Sequence, residues 1–117
     1  KGDSSVIKEL LKHESFDVNM NLGNNHSPLI VAALLGNEEI VYLLLDDPRV
    51  DINHRTVWGG TALERAVEAK HHNIVSILLR NPNLKINSRN DDGQTALSAT
   101  YKGSSIYNLL KSYGARK

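Results

Sequence analysis

Five histidines and two Asp-Asp pairs are the side chains with which this chain could do chemistry. His71 and His72 are neighbours, and neighbours on a helix point about 100° apart, so they do not make the i, i+4 pair with which helices grip zinc. His26 and His54 fall on loop segments of successive pattern units, where a shared ion is geometrically conceivable; solvent-facing polar loop residues are the favoured reading. Asp46-Asp47 and Asp91-Asp92 could pass for acid/base pairs, yet each stands in turn context and is expected to be solvated. Cysteine is absent, which removes disulfides, thiolate metal sites and thiol nucleophiles. With no nucleophile motif, phosphate-binding glycine loop or EF-hand pattern, the expectation is a chain without catalytic residues, metal ligands or cofactors, not an enzyme. Asn25-His26-Ser27 matches the glycosylation sequon, but Ser27 is better explained as a helix cap.

Composition closes off other classes. Fourteen Lys and Arg against 13 Asp and Glu, interspersed along the chain, give no basic face for nucleic acid and no general attraction to a polyanion or membrane surface. No apolar run approaches the roughly 18 to 20 residues of a membrane span, and Lys1-Gly-Asp-Ser-Ser is not a signal peptide. The expected location is the cytoplasm, including a host cytosol for a secreted effector. Aromatics are only 5% while alanine recurs, which suits closely packed short helices better than a sheet core.

The elements that must position any functional side chain are written repeatedly. Ser27, Thr61 and Thr95 stand 34 apart, as do Asn19, Asn53 and Asn87. Each Ser or Thr follows a turn-forming tip in which the residue two before it reads Asn25, Gly59, Gly93, the types that tolerate a left-handed conformation. Ser27-Pro28 reads as cap and N1 proline, and Thr61-Ala-Leu-Glu64 as a capping box. Leu29, Ala32 and Ala33, with Leu63, Ala66 and Val67, form a narrow apolar face on these first helices. Second helices are expected from Asn37-Glu-Glu and Asn73, with Asn as cap, through Ile40–Leu45 and Ile74–Leu79; Asp47-Pro48 and Asn81-Pro82 end them. Helices of roughly 8 to 10 residues are marginal alone, so stability has to come from stacking.

Residues 1–20 read as the second half of a unit, with Val6, Ile7, Leu10 and Leu11 on one helix face and Gly2 at the place of Gly36. Full units follow at 21–54, 55–88 and 89–117. The last departs from register by two residues between Thr95 and Ile106, and puts Tyr107 and Lys111 where the first has Val41 and Leu45. A terminal repeat needs such a polar outer side, so the expectation is a C-terminal cap.

The pattern resembles the ankyrin repeat: Asn90-Asp-Asp-Gly-Gln-Thr-Ala-Leu97 is similar to its hairpin-and-cap signature, and Ser27-Pro-Leu with Ala32-Ala33-Leu-Leu-Gly36-Asn to its first helix. Asp17-Val-Asn19, Asp51-Ile-Asn53 and Lys85-Ile-Asn87 match the segment that closes each unit. The tetratricopeptide repeat shares the period but lacks the loop that here separates helical patterns from Asp46 to Gly60. Departures are the family's usual proline, replaced by Ala62 and Ala96; its histidine, replaced by Ile30, Glu64 and Ser98, so that histidine-centred hydrogen bonds are expected to be missing; Lys70-His71 in place of an interhelix glycine; and longer outer loops at Ser15, Pro48 and Pro82.

The resemblance implies an all-α solenoid of stacked helix-turn-helix units joined by hairpin loops. It further implies a partner protein held by hairpin tips and a concave side lined with first helices. Candidate contacts are His26, Val57, Trp58, Asp91, Asp92 and Gln94 from tips, and Leu35, Arg65, Glu68, Ala69, Tyr101 and Lys102 from first helices. Trp58 is either a binding anchor or a lid over the neighbouring tip; Leu35 is expected to be buried between units. The function that follows is a non-enzymatic scaffold or adaptor, the alternative being a regulatory or targeting segment of a larger enzyme, channel or secreted effector. A monomer is expected unless the N-terminal edge self-associates.

Overall fold

The computed structural model describes residues 4–117, in which the 34-residue pattern becomes pairs of short antiparallel helices. They are α1 (Ser4–Leu11), α2 (Pro28–Leu35), α3 (Glu38–Leu45), α4 (Ala62–Glu68), α5 (His72–Leu79), a 3-10 turn (Ala96–Ala99) and α6 (Ser105–Ser112). The place of Gly2 lies outside the described residues.

Local chemistry starts and stops these helices. Ser27 Oγ accepts from the Ile30 N–H (3.3 Å), Thr61 Oγ1 from Glu64 N–H (3.3 Å), Asn37 Oδ1 from Ile40 N–H (3.2 Å) and Ser104 Oγ from Tyr107 N–H (3.1 Å). Each satisfies a first-turn donor that the helix cannot. The expected cap at Asn73 is corrected: His71 holds the cap position of α5 without a side-chain cap bond, and the Asn73 amide instead reaches Glu38 Oε2 at 3.1 Å. His71, not Asn73, is 34 residues after Asn37, and its ring is engaged elsewhere. Its Nε2–H donates to the Leu34 carbonyl at 3.0 Å, with the imidazole lying against Gly36.

Two rows result. α2 packs along α4, and α4 against the 3-10 turn; behind them α1, α3, α5 and α6 pack in succession. One apolar cluster runs through the stack, with Leu29, Ile30, Ala33, Val41 and Leu44 joined to Leu63, Ala66, Ile74, Val75 and Leu78, then Leu97 and Leu110. Every fully buried Leu or Ile contributes about 1.5 to 3 kcal/mol, and most are covered from both neighbouring units, so no helix pair is stable by itself. The molecule is accordingly elongated, 42 × 25 × 25 Å.

A second set of links joins the units through the recurring asparagine. Asn19 donates its amide to the Arg49 carbonyl (2.9 Å) and accepts from Asp51 N–H (2.8 Å). Asn53 does the same with Asn83 and Lys85 (2.8 Å each), and Asn87 with Gly114 (3.3 Å) and Arg116 (2.7 Å). Only a primary amide presents donor and acceptor together at the right reach, which is why this position repeats. Arg49 adds a clamp at the end of α1, donating to the carbonyls of Leu11 (3.0 Å) and His13 (3.2 Å) while paired with Asp47 at 2.7 Å. Asp47 is therefore not the solvated turn acid expected. Arg49 holds its carboxyl below the usual carboxylate range, and its side chain is 12% exposed.

The ends of the stack differ from its middle. No residue of α1 is fully buried, and Val6 is 53% exposed. In the last unit the two missing residues leave room only for a 3-10 turn before the chain extends at Thr100, and Ser98 Oγ accepts from Thr95 N–H (3.3 Å). Lys111 faces solvent and Tyr107 is half-buried.

Candidate protein-binding surface

The tips form a ladder before any side chain is considered. Val57 N–H donates to the Asn24 carbonyl and Asp91 N–H to the Trp58 carbonyl, both at 3.0 Å, so each tip is pinned to the one before it. Inside each loop one side-chain oxygen accepts two backbone N–H groups. Asn21 takes Gly23 and Asn25 (2.7 and 3.0 Å), Thr56 takes Trp58 and Gly60 (3.2 Å each), and Asn90 takes Asp92 and Gln94 (2.9 and 3.0 Å). The turn residues Asn25, Gly59 and Gly93 have φ of 61°, 83° and 78°, the left-handed conformation their types were expected to supply.

On this ridge the expected contact residues fall into three groups. Val57 and Trp58 project from the second tip, 56% and 59% exposed, and the indole meets the half-buried His26 ring edge-on at a centroid distance of 6.3 Å. Asp91, Asp92 and Gln94 are exposed on the third tip. Of the residues expected on first helices, Glu68 is exposed, Ala69 at the end of α4 is half-buried, and Arg65 is drawn inward by Glu68 (3.2 Å) and Glu64 (3.9 Å); Tyr101 and Lys102 are exposed but follow the 3-10 turn, so they stand in a turn and not on a helix as expected.

Leu35 requires a correction. It is 72% exposed rather than buried between units, because α4 packs along the opposite flank of α2. With Leu22, Val31, Ile7 and Ile40 it lines an open groove of about 690 Å³. A smaller groove of about 330 Å³ brings Glu68 and Tyr101 together beside Lys70 and Ile106. It opens where the 3-10 turn replaces a full helix.

Glu64 was not singled out as a contact and lies directly beneath the ridge. It is 5% exposed, and its Oε2 accepts from Asn90 Nδ2 at 2.7 Å, so it joins α4 to the side chain that shapes the third tip. Burial pushes the carboxyl above the usual carboxylate range; the Asn90 bond opposes this, Glu68 reinforces it and Arg65 opposes it. Among the described residues Arg65 Nε is the buried side-chain polar atom without a partner. The legible signal was an acid at a position whose counterparts are Ile30 and Ser98.

Three of the five histidines, His26, His54 and His71, are engaged with backbone. His26 Nδ1–H donates to the Gly23 carbonyl (2.9 Å) and His54 Nε2–H to the Asn25 carbonyl (3.0 Å). Histidine-to-backbone bonds therefore occur here, though not from the helix position where the repeat pattern has its histidine. The described residues contain no group of three His, Asp or Glu arranged to hold a metal ion. In the sequon, Ser27 is buried as a cap and the Asn25 amide donates to the Arg55 carbonyl at 2.8 Å. No helix among the described residues is long and apolar enough to cross a membrane.

Comparison with known families gives a match of the family model for ankyrin repeats, in three copies, over residues 1–90. No curated protein matches the sequence.

Proposed function

Because this chain belongs to the ankyrin-repeat family, whose members generally bind other proteins, we propose that it holds a partner protein on the side built from hairpin tips and first helices. The chain adds no chemistry of its own and acts as a scaffold or adaptor. The observation that carries this is exposure of large apolar side chains at the second tip and beside the third, Val57 at 56%, Trp58 at 59% and Tyr101 at 79%, with Leu35 at 72% in the open groove beside Ile7 and Ile40. Aromatic residues displayed on a backbone held by its own hydrogen bonds are suited to be anchors, since little entropy remains to be lost on binding. His26, Arg65, Glu68, Ala69 and Lys102 flank these anchors, and Asp91, Asp92 and Gln94 extend the surface along the third tip.

The test is capture of binding proteins from source cells by wild type and by a Trp58→Ala/Tyr101→Ala variant, with urea unfolding measured on both. Capture should fall sharply while stability changes by about 0.5 kcal/mol or less, as for exposed positions generally. A large loss of stability with capture intact would make the indole a structural lid and sink the anchor reading.

A further inference from the structure

Resting on that reading of the chain as a protein binder, we propose that the groove between α4 and the last unit takes a segment of the partner in which an apolar side chain stands beside acidic residues. The groove, of about 330 Å³, exists because the last unit is two residues short and sets a 3-10 turn opposite α4 where earlier units have a full helix. Val67, Ala99 and Ile106 give it an apolar lining, joined by Tyr101, which leaves 79% of its surface in solvent. The turn that carries Tyr101 is held by backbone, the Thr100 N–H donating to the Leu97 carbonyl at 3.1 Å and the Ser104 N–H to the Tyr101 carbonyl at 3.0 Å. An apolar side chain that enters therefore meets walls whose main chain is already ordered.

Charge selects what accompanies that side chain. Lys70 and His72 line the same groove, both exposed, and among the described residues neither has an ion-pair partner. The one acid in the lining, Glu68, is held by Arg65 at 3.2 Å. The balance around the groove is therefore positive, which favours carboxylates of a partner over its cations. Lys70 carries a second, independent observation. It keeps a left-handed backbone (φ 61°) where the preceding unit has Gly36 (φ 80°), so a residue type that this conformation disfavours is retained with its side chain on the groove. At Gly36 the corresponding space is closed from within, because the ring of His71, the cap residue of α5, lies against that glycine. The cap residue of α6 is the much smaller Ser104, and the groove stays open to an occupant from outside.

The experiment titrates N-acetyl-Glu-Leu-Glu amide into the full chain and follows the backbone amide resonances of Lys70, Ala99, Tyr101 and Ile106. The Gln-Leu-Gln peptide tests the charge, and the Glu-Ala-Glu peptide tests the apolar side chain. The acidic leucine peptide should give saturable shifts at these residues and bind about threefold or more tighter than either comparison. Lys70→Gly and Lys70→Gln should each weaken it about threefold or more; the glycine variant relaxes the backbone as it removes the cation, so its lost binding does not come from lost folding. Equal binding of the glutamine peptide, or binding unchanged in both variants, overturns the acidic preference. Equal binding of the alanine peptide overturns the apolar seat, and the lack of any saturable shift overturns the groove as a docking site. Partner capture separates this from the broader reading. If capture falls with Trp58→Ala while the acidic peptide does not bind, the groove alone is lost; if the peptide binds as expected and capture falls with Lys70→Gln but not with Trp58→Ala, the tip ridge is lost and the groove stands.

Discussion

Lys70 holds a left-handed conformation (φ 61°) at the position where the preceding unit has Gly36 (φ 80°). A β-carbon there costs about 1 to 2 kcal/mol, partly offset by the greater freedom that glycine would lose on folding. Lys70→Gly should therefore raise the unfolding free energy by about 0.5 to 1 kcal/mol in urea titrations. Glu64 carries a different cost. Its folded carboxyl is raised above the unfolded value, so its contribution is most favourable at acid pH, where the group is protonated, and is lost as pH rises through the folded value. Glu64→Gln keeps an acceptor for Asn90 without the buried charge. Compared between about pH 4 and pH 8, its stability advantage over wild type should grow with pH; a gap that shrinks as pH rises would contradict burial as the dominant influence.

At the scale of elements, the outer loops are joined by asparagine amides and the tips by backbone, so neighbouring units are linked on both sides of the helix stack. Asn53 spans the middle junction with bonds to Asn83 and Lys85. Asn53→Ala removes both and should cost about 1 to 3 kcal/mol, whereas Asn53→Asp keeps the acceptor and should cost less; denaturant midpoints of the two variants decide it. Equal losses would mean the acceptor contributes nothing. The element least legible beforehand was the last first-helix. Its missing two residues were plain, but whether the gap would shorten a loop or tighten a helix depended on how Ala96 and Leu97 had to meet α4.

At the scale of the molecule, the middle units of the described stack are covered from both sides. α4 and α5 bury Ala62, Leu63, Ala66, Ile74, Val75 and Leu78, while α1 has no fully buried residue. Hydrogen exchange should accordingly protect α4 and α5 most and α1 least, the difference reflecting local opening rather than helix propensity. Uniform protection across the helices would instead indicate all-or-none unfolding of the whole chain.

The sequence alone determined the period, the caps at Ser27, Thr61 and Asn37, the left-handed tip residues and the family, because each follows from chemistry within a few residues or from the repeat register. It did not determine which flank of α2 is covered, so Leu35 was expected inside and is outside. Nor could it assign His71 to the Leu34 carbonyl, Arg49 to Asp47 and the end of α1, or Glu64 to Asn90. Most of these contacts join residues 26 to 38 positions apart. Such distances close only when one unit lies on the next, so the partners of long polar side chains were decided by the stack.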